Sequence, residues 1–106
     1  MRSIEFAIRL ARIGVSPREA ARLWNVDDRA LRRQTSVTDP TPENIARLGL
    51  LEDERARDLA AFEQSARQGT IEVPSGAGMP RTYWLLLAAD AWAQHPSARL
   101  IHRVGQ

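Results

Sequence analysis

Residues 14–36 read GVSPREAARLWNVDDRALRRQTS, and the way their two halves meet decides the fold. Ser16, Pro17 and Glu19 form a strong helix start: a hydroxyl N-cap, a proline at the first helical position and the S-x-x-E capping box. Ala20, Leu23 and Trp24 supply the inner face of that helix. Asn25 follows, a residue that tolerates left-handed φ/ψ. Val26 plugs the turn, Asp27 or Asp28 can cap a third helix, and Leu31 is that helix's inward residue. Close packing of two helices across a tight turn needs a small residue in the first helix, here Ala21. It needs a turn residue four positions later, Asn25, then an apolar plug, Val26. Last comes an apolar residue five positions further on, Leu31. The spacing predicts a helix-turn-helix, with Asn25 in place of the usual glycine, against the plainer reading of an amphipathic helical hairpin.

In that arrangement Asp28–Gln34 is the recognition helix, and Asp28, Arg29, Arg32 and Arg33 point outward. Arg29 shares a face with Arg32 and Arg33 through i,i+3 and i,i+4 spacing. A helix fits the major groove, where a guanidinium can bond guanine O6 and N7 together. Asp28 can accept from cytosine N4 or cap the helix; the cap is the preferred reading. Ser16, Arg18, Thr35 and Ser36 flank this face as candidate phosphate contacts. Arg18 and Arg22 can also pair with Glu19 on a solvated surface, and for Arg22 that reading is preferred.

Working outward, Ile4, Ala7, Ile8 and Ala11 give an apolar stripe on a helix from Ile4 to Arg12, widened by Phe6, Leu10 and Ile13, with Gly14 as a left-handed stop. After the loop 35–41, Thr41 and Pro42 open a long helix that reads to about Gln68, with Gly69 as its stop and Gly49 as a place where it can bend or split. Ile45, Leu48, Leu59, Phe62 and Ala66 mark its apolar side; the stretch EDERARD at 52–58 reads as solvated. TIEVP alternates as a strand would, through Ile71 and Val73, and SGAGM at 75–79 is a flexible turn. Pro80 opens a last helix, Arg81–Gln94, and the tail 97–106 is compatible with either a further turn or a strand. The expected fold is mainly α: a helix-turn-helix region over 1–40, then a long connecting helix, one short strand and a C-terminal dimerisation helix over 41–106, forming one compact unit.

With 106 residues, 43% of them hydrophobic and 26% charged, the chain is the size and composition of one small globular domain. No apolar run is long enough for a transmembrane helix, and the N-terminus lacks a signal-peptide core, so a cytoplasmic protein is expected. The absence of cysteine excludes disulfides and thiolate metal sites. The net charge of +2 is unevenly spread: residues 1–36 carry eight arginines against four acids, whereas 37–70 carry four against seven. Every one of these cations is arginine. Genome base composition can produce that alone, but arginine also supplies the fork that reads guanine and phosphate. His95 and His102 have no nucleophile or metal-ligand set around them, and the glycines at 76 and 78 lack the phosphate-loop pattern. No enzyme, cofactor, metal or small-molecule ligand is therefore expected. Trp84, Ala88 and Trp92 fall on one face of the last helix, which is more apolar than a chain this small buries with ease. Core packing and a symmetric interface both fit. The interface reading draws on Tyr83, Trp84, Leu87, Ala88, Ala91 and Trp92, with Ile71 and Val73 pairing across a two-fold axis.

The stretch 14–36, together with MPRTYWLLLAADAW at 79–92, resembles the small phage and plasmid helix-turn-helix regulators. It is similar in particular to the anti-CRISPR-associated (Aca) repressors, through the D-R-x-x-R pattern at Asp28–Arg32 and the pairing of Pro80 with Tyr83. The resemblance implies a homodimer that binds an inverted repeat in double-stranded DNA and represses its own operon, with Arg29, Arg32 and Arg33 reading the operator. Asn25 and the long charged helix depart from the pattern. The competing readings are an antitoxin of a toxin-antitoxin pair or another protein-interaction module, and an architectural phage factor of the excisionase type.

Overall fold

One device ends the first two helices. Helix α1 (Ser3–Arg12) stops where the Gly14 amide donates to the Ala11 carbonyl and the Val15 amide to the Leu10 carbonyl, with Gly14 at φ 76°. Helix α2 (Pro17–Trp24) stops the same way: the Asn25 amide reaches the Arg22 carbonyl and the Val26 amide the Ala21 carbonyl, with Asn25 at φ 52°. This is the Schellman closure, which needs one left-handed residue. Asn25 is the only non-glycine among the described residues that adopts it. The computed structural model describes residues 1–76 and 78–103. Ala77 of the 75–79 turn and residues 104–106 of the tail lie outside them.

Helices α3 (Asp28–Gln34), α4 (Pro42–Arg67) and α5 (Arg81–Gln94) follow, with strands β1 (Thr70–Val73) and β2 (Arg99–His102). The fold is mainly helical. Two expectations about its elements change. The tail contributes a second strand, so the single predicted strand becomes a parallel pair in the register Ile71 to Leu100 and Val73 to His102. Strand β1 thus finds its partner within its own chain. Parallel strands need a crossover, and α5 provides it. Helix α4 runs without a break through Gly49, where an added Cβ would meet nothing within 4 Å; that glycine is only a weak point of helix propensity.

The chain divides into two compact units, Met1–Glu52 and the residues from Asp53 onward, with the division inside α4. The first unit buries Phe6, Leu10, Ile13, Val15, Ala20, Ala21, Leu31, Leu48 and Leu51. Here the expected faces of two helices are corrected. On α1 the core side is Phe6, Leu10 and Ile13, while Ile4 is 60% and Ile8 51% exposed and Ala11 faces solvent. The helix carries two apolar stripes on opposite sides. The aromatic one wins because Phe6 has the larger area to bury, with Leu10 on the same side at the closure where its carbonyl accepts from the Val15 amide. On α2 Leu23 is exposed, and Ala20, Ala21 and the half-buried Trp24 form the inner side, with Trp24 tilted against Phe6 at 6.4 Å.

In the second unit Ala66, Ile71, Ala88, Ala91 and Ala98 form a core joined by Leu59, Phe62 and Val73. Phe62 stacks on Trp84 with ring centroids 6.0 Å apart. The stretch 52–58 is not simply solvated, as its charge suggested. Glu52 accepts from Arg9 Nε at 2.8 Å, Arg55 pairs with Asp90, and Asp58 meets Tyr83. The bond to Glu52 raises the Arg9 guanidinium above its ordinary pKa, outweighing its partial burial. No helix among the described residues is long and apolar enough to cross a membrane.

Candidate nucleic-acid interface

Helix α3 is held from below and at both ends. Leu31 is fully buried beneath it, and Val26 is half-buried at the turn. The small, buried Ala21 lets α2 and α3 approach. At the start, Asp27 rather than Asp28 is the cap: its Oδ2 accepts from the Ala30 amide at 2.8 Å. Asp28 takes the first helical position instead, where its carboxylate suits the positive end of the helix dipole. It lies 3.6 Å from Arg32, one turn on. The preferred sequence reading, Asp28 as the cap, is thereby corrected. Asp27 wins because only the residue ahead of the first turn can place its oxygen over the free amides.

The far end of α3 is fixed by a polar cluster that the sequence reading passed over. Gln34 is buried, and its Oε1 accepts from the Thr41 amide at 3.1 Å and from Asn44 Nδ2 at 2.9 Å. Asn44 Oδ1 in turn accepts from Arg47 at 2.7 Å, and Thr41 Oγ1 caps α4 by accepting from the Asn44 amide. The signal was present: Gln34 stands three residues after Leu31 and so shares its inner side.

Fixed in this way, α3 turns Arg29, Arg32 and Arg33 to solvent. Among the described residues Arg29 and Arg33 form no ion pair, and Arg32 has only its long approach to Asp28. Arg18 and Arg22 are exposed on α2, also without ion pairs among the described residues. Ser16 is exposed with its Oγ accepting from the Glu19 amide, and its hydroxyl hydrogen remains to be given. Thr35 and Ser36 differ: both hydroxyls donate to the Arg32 carbonyl, at 2.7 and 3.1 Å. To donate to a phosphate they must first leave that carbonyl. Among the described residues no cluster of His, Asp or Glu is placed to hold a metal ion.

No protein-family profile, curated protein or solved structure matches the chain.

The residues expected at a symmetric interface are placed differently from those on α3. Ile71, Tyr83, Trp84, Leu87, Ala88 and Ala91 are buried in their own chain, because β1 and α4 cover that side of α5. Val73 is half-buried, and only Trp92, 44% exposed, offers a large free surface. Trp92 and Leu85 line a groove of about 490 Å³, which Leu100 and Ile101 of β2 also line. Among the described residues its charged and ionisable members are Arg81 and His102, and none of them brings a carboxylate.

Proposed function

We propose that the chain is a sequence-specific DNA-binding repressor that acts as a homodimer on an inverted repeat and controls its own operon, as its resemblance to the phage anti-CRISPR-associated regulators implies. In this reading α2, the Asn25 turn and α3 are a helix-turn-helix, and α3 enters the major groove. Arg29 and Arg33 read guanine edges, Arg32 assists once drawn from Asp28, and Ser16 and Arg18 contact phosphate. The observation that carries the reading is the contrast within α3. Leu31 is wholly buried while the arginines two positions before it and one and two after it stand in solvent. A rigid helix that presents guanidinium groups free of its own acids suits recognition of a duplex. Selection of bound sequences from a random DNA pool tests it. A two-fold symmetric consensus is expected; recovery of unrelated sequences after repeated rounds sinks the reading.

A second reading, an antitoxin whose C-terminal half holds a protein partner, is favoured by the apolar groove beside Trp92. Co-expression with the product of an adjacent reading frame discriminates: relief of growth arrest that Trp92→Ala abolishes supports the antitoxin.

A further inference from the structure

We propose that two copies of the chain pair antiparallel through the outward face of α1, with Glu5 of each copy against Arg12 of the other. The inference rests on the repressor reading only insofar as an inverted repeat calls for a dimer; the contact itself needs no DNA. Ile4, Ile8 and Ala11 stand in solvent on the side of α1 opposite Phe6, Leu10 and Ile13. At about 100° per residue, Ile8 and Ala11 lie about 40° and 20° to either side of Ile4, so the three form a narrow seam. A helix that is apolar on two sides has a second side to cover, and nothing among the described residues covers this one.

Charge identifies the cover as another α1. Glu5 and Arg12 are exposed and lie on the same flank of the seam, about 20° apart around the helix and roughly 10 Å apart along it. Among the described residues Arg12 has no ion pair; the Glu5 carboxylate forms none either, accepting from the Arg2 amide at 3.4 Å and acting on Arg9 one turn on only through its charge. A two-fold axis crossing the seam between Ile8 and Arg9 sets the helices antiparallel and leaves each flank on its own edge. Each Glu5 then faces Arg12 of the second copy, twice over, while Ile4, Ile8 and Ala11 interleave. A parallel pair sends the two charged flanks to opposite edges and leaves all four groups alone. The half-buried Ala7 on the other flank is small enough for close approach. Such self-matching is what a two-fold interface requires. The groove beside Trp92 lacks it, since it is concave and, among the described residues, presents Arg81 with no carboxylate to answer it. The seam is smaller than the roughly 800 Å² per partner of a standard interface, so the dimer is weak and reversible.

Analytical ultracentrifugation of the full chain without DNA tests this. A concentration-dependent monomer–dimer equilibrium is expected. Ile8→Glu abolishes it, Arg12→Glu alone weakens it about tenfold, and Arg12→Glu combined with Glu5→Arg restores it. Circular dichroism separates lost pairing from lost folding, and if Ile8→Glu unfolds the chain, the charge exchange decides alone. A monomer at every concentration overturns the proposal. So does a dimer that ignores these changes but is broken by Trp92→Arg. Binding of the Ile8→Glu monomer to a single half-site reads α3 separately, so failure of the seam and failure of the DNA reading are told apart.

Discussion

Tyr83 Oη donates a 2.6 Å hydrogen bond to Asp58 Oδ2, tying α5 to α4 through a fully buried aromatic residue. Burial first, and then the bond and the charge of Asp58, raise the phenol's pKa well above its ordinary 10.0. Above that pH the unfolded chain releases the proton while the folded chain keeps it, so the folded state binds more protons and loses stability as pH climbs. The contribution is complete below pH 10 and fades as pH rises toward the folded-state value. Since this is the chain's single tyrosine, phenolate absorbance reports it alone. It is expected to appear together with alkaline unfolding, and its appearance at the ordinary value in folded protein rules the account out. Tyr83→Phe should remove this alkaline limb and lower neutral-pH stability by about 1 kcal/mol, because Asp58 is half-exposed and regains water.

The two aspartates that open α3 are expected to separate in urea unfolding. Asp27→Ala removes the oxygen that holds the Ala30 amide and should cost about 1 kcal/mol. Asp28→Ala removes a favourable first-turn charge and a 3.6 Å approach to an exposed arginine, and should cost clearly less. Equal losses would show that charge at this helix end, and not the cap, is what matters.

Where the signals are local, the sequence is a sufficient guide. The bounds of α2, α3 and α5 follow from Ser16 with Glu19, from Asn25 and the aspartates, and from Pro80 and His95, all decided within one turn of chain. What was hidden depends on partners distant in sequence. Strand β2 has only two large apolar residues, and its partner lies on the far side of α5. The charges at 52–58 look solvated until Arg9, Asp90 and Tyr83 are known to face them. Helix α1 offers two apolar stripes within ten residues, and composition does not say which the core accepts. For the candidate interface, the exposure of the arginines follows from placing Leu31 inward. The commitment of Thr35 and Ser36 to the Arg32 carbonyl does not, because hydroxyl direction is set by the closing turn and not by residue type.

Gln34 should behave as a structural acceptor. Gln34→Met keeps most of the volume but leaves the Thr41 amide and Asn44 Nδ2 without their oxygen. A loss of about 1–3 kcal/mol is expected, together with faster amide exchange at Thr41. Pairing Gln34→Met with Asn44→Leu should cost less than the two changes made singly, since the second removes the stranded donor. Strict additivity would contradict a shared network.

The arginines of α3 should differ in what they contribute to DNA binding. Arg29 and Arg33 are free of the chain's own acids among the described residues, so their guanidinium groups are ready for a base edge; Arg33→Ala should weaken binding to the selected site by about 1–3 kcal/mol and relax the base preference at one position. Arg32 must first give up its approach to Asp28, so Arg32→Ala should weaken binding less, and Asp28→Ala should move Arg32 toward the stronger pair. Arg18→Ala, on the flank, should leave base preference intact and lower the salt dependence by about one phosphate contact. Titrations of selected and scrambled duplexes at several salt concentrations measure all of these. Equal affinity for the two duplexes, in the wild-type chain and in every variant, would exclude base reading by α3 and reduce its arginines to a solvated surface.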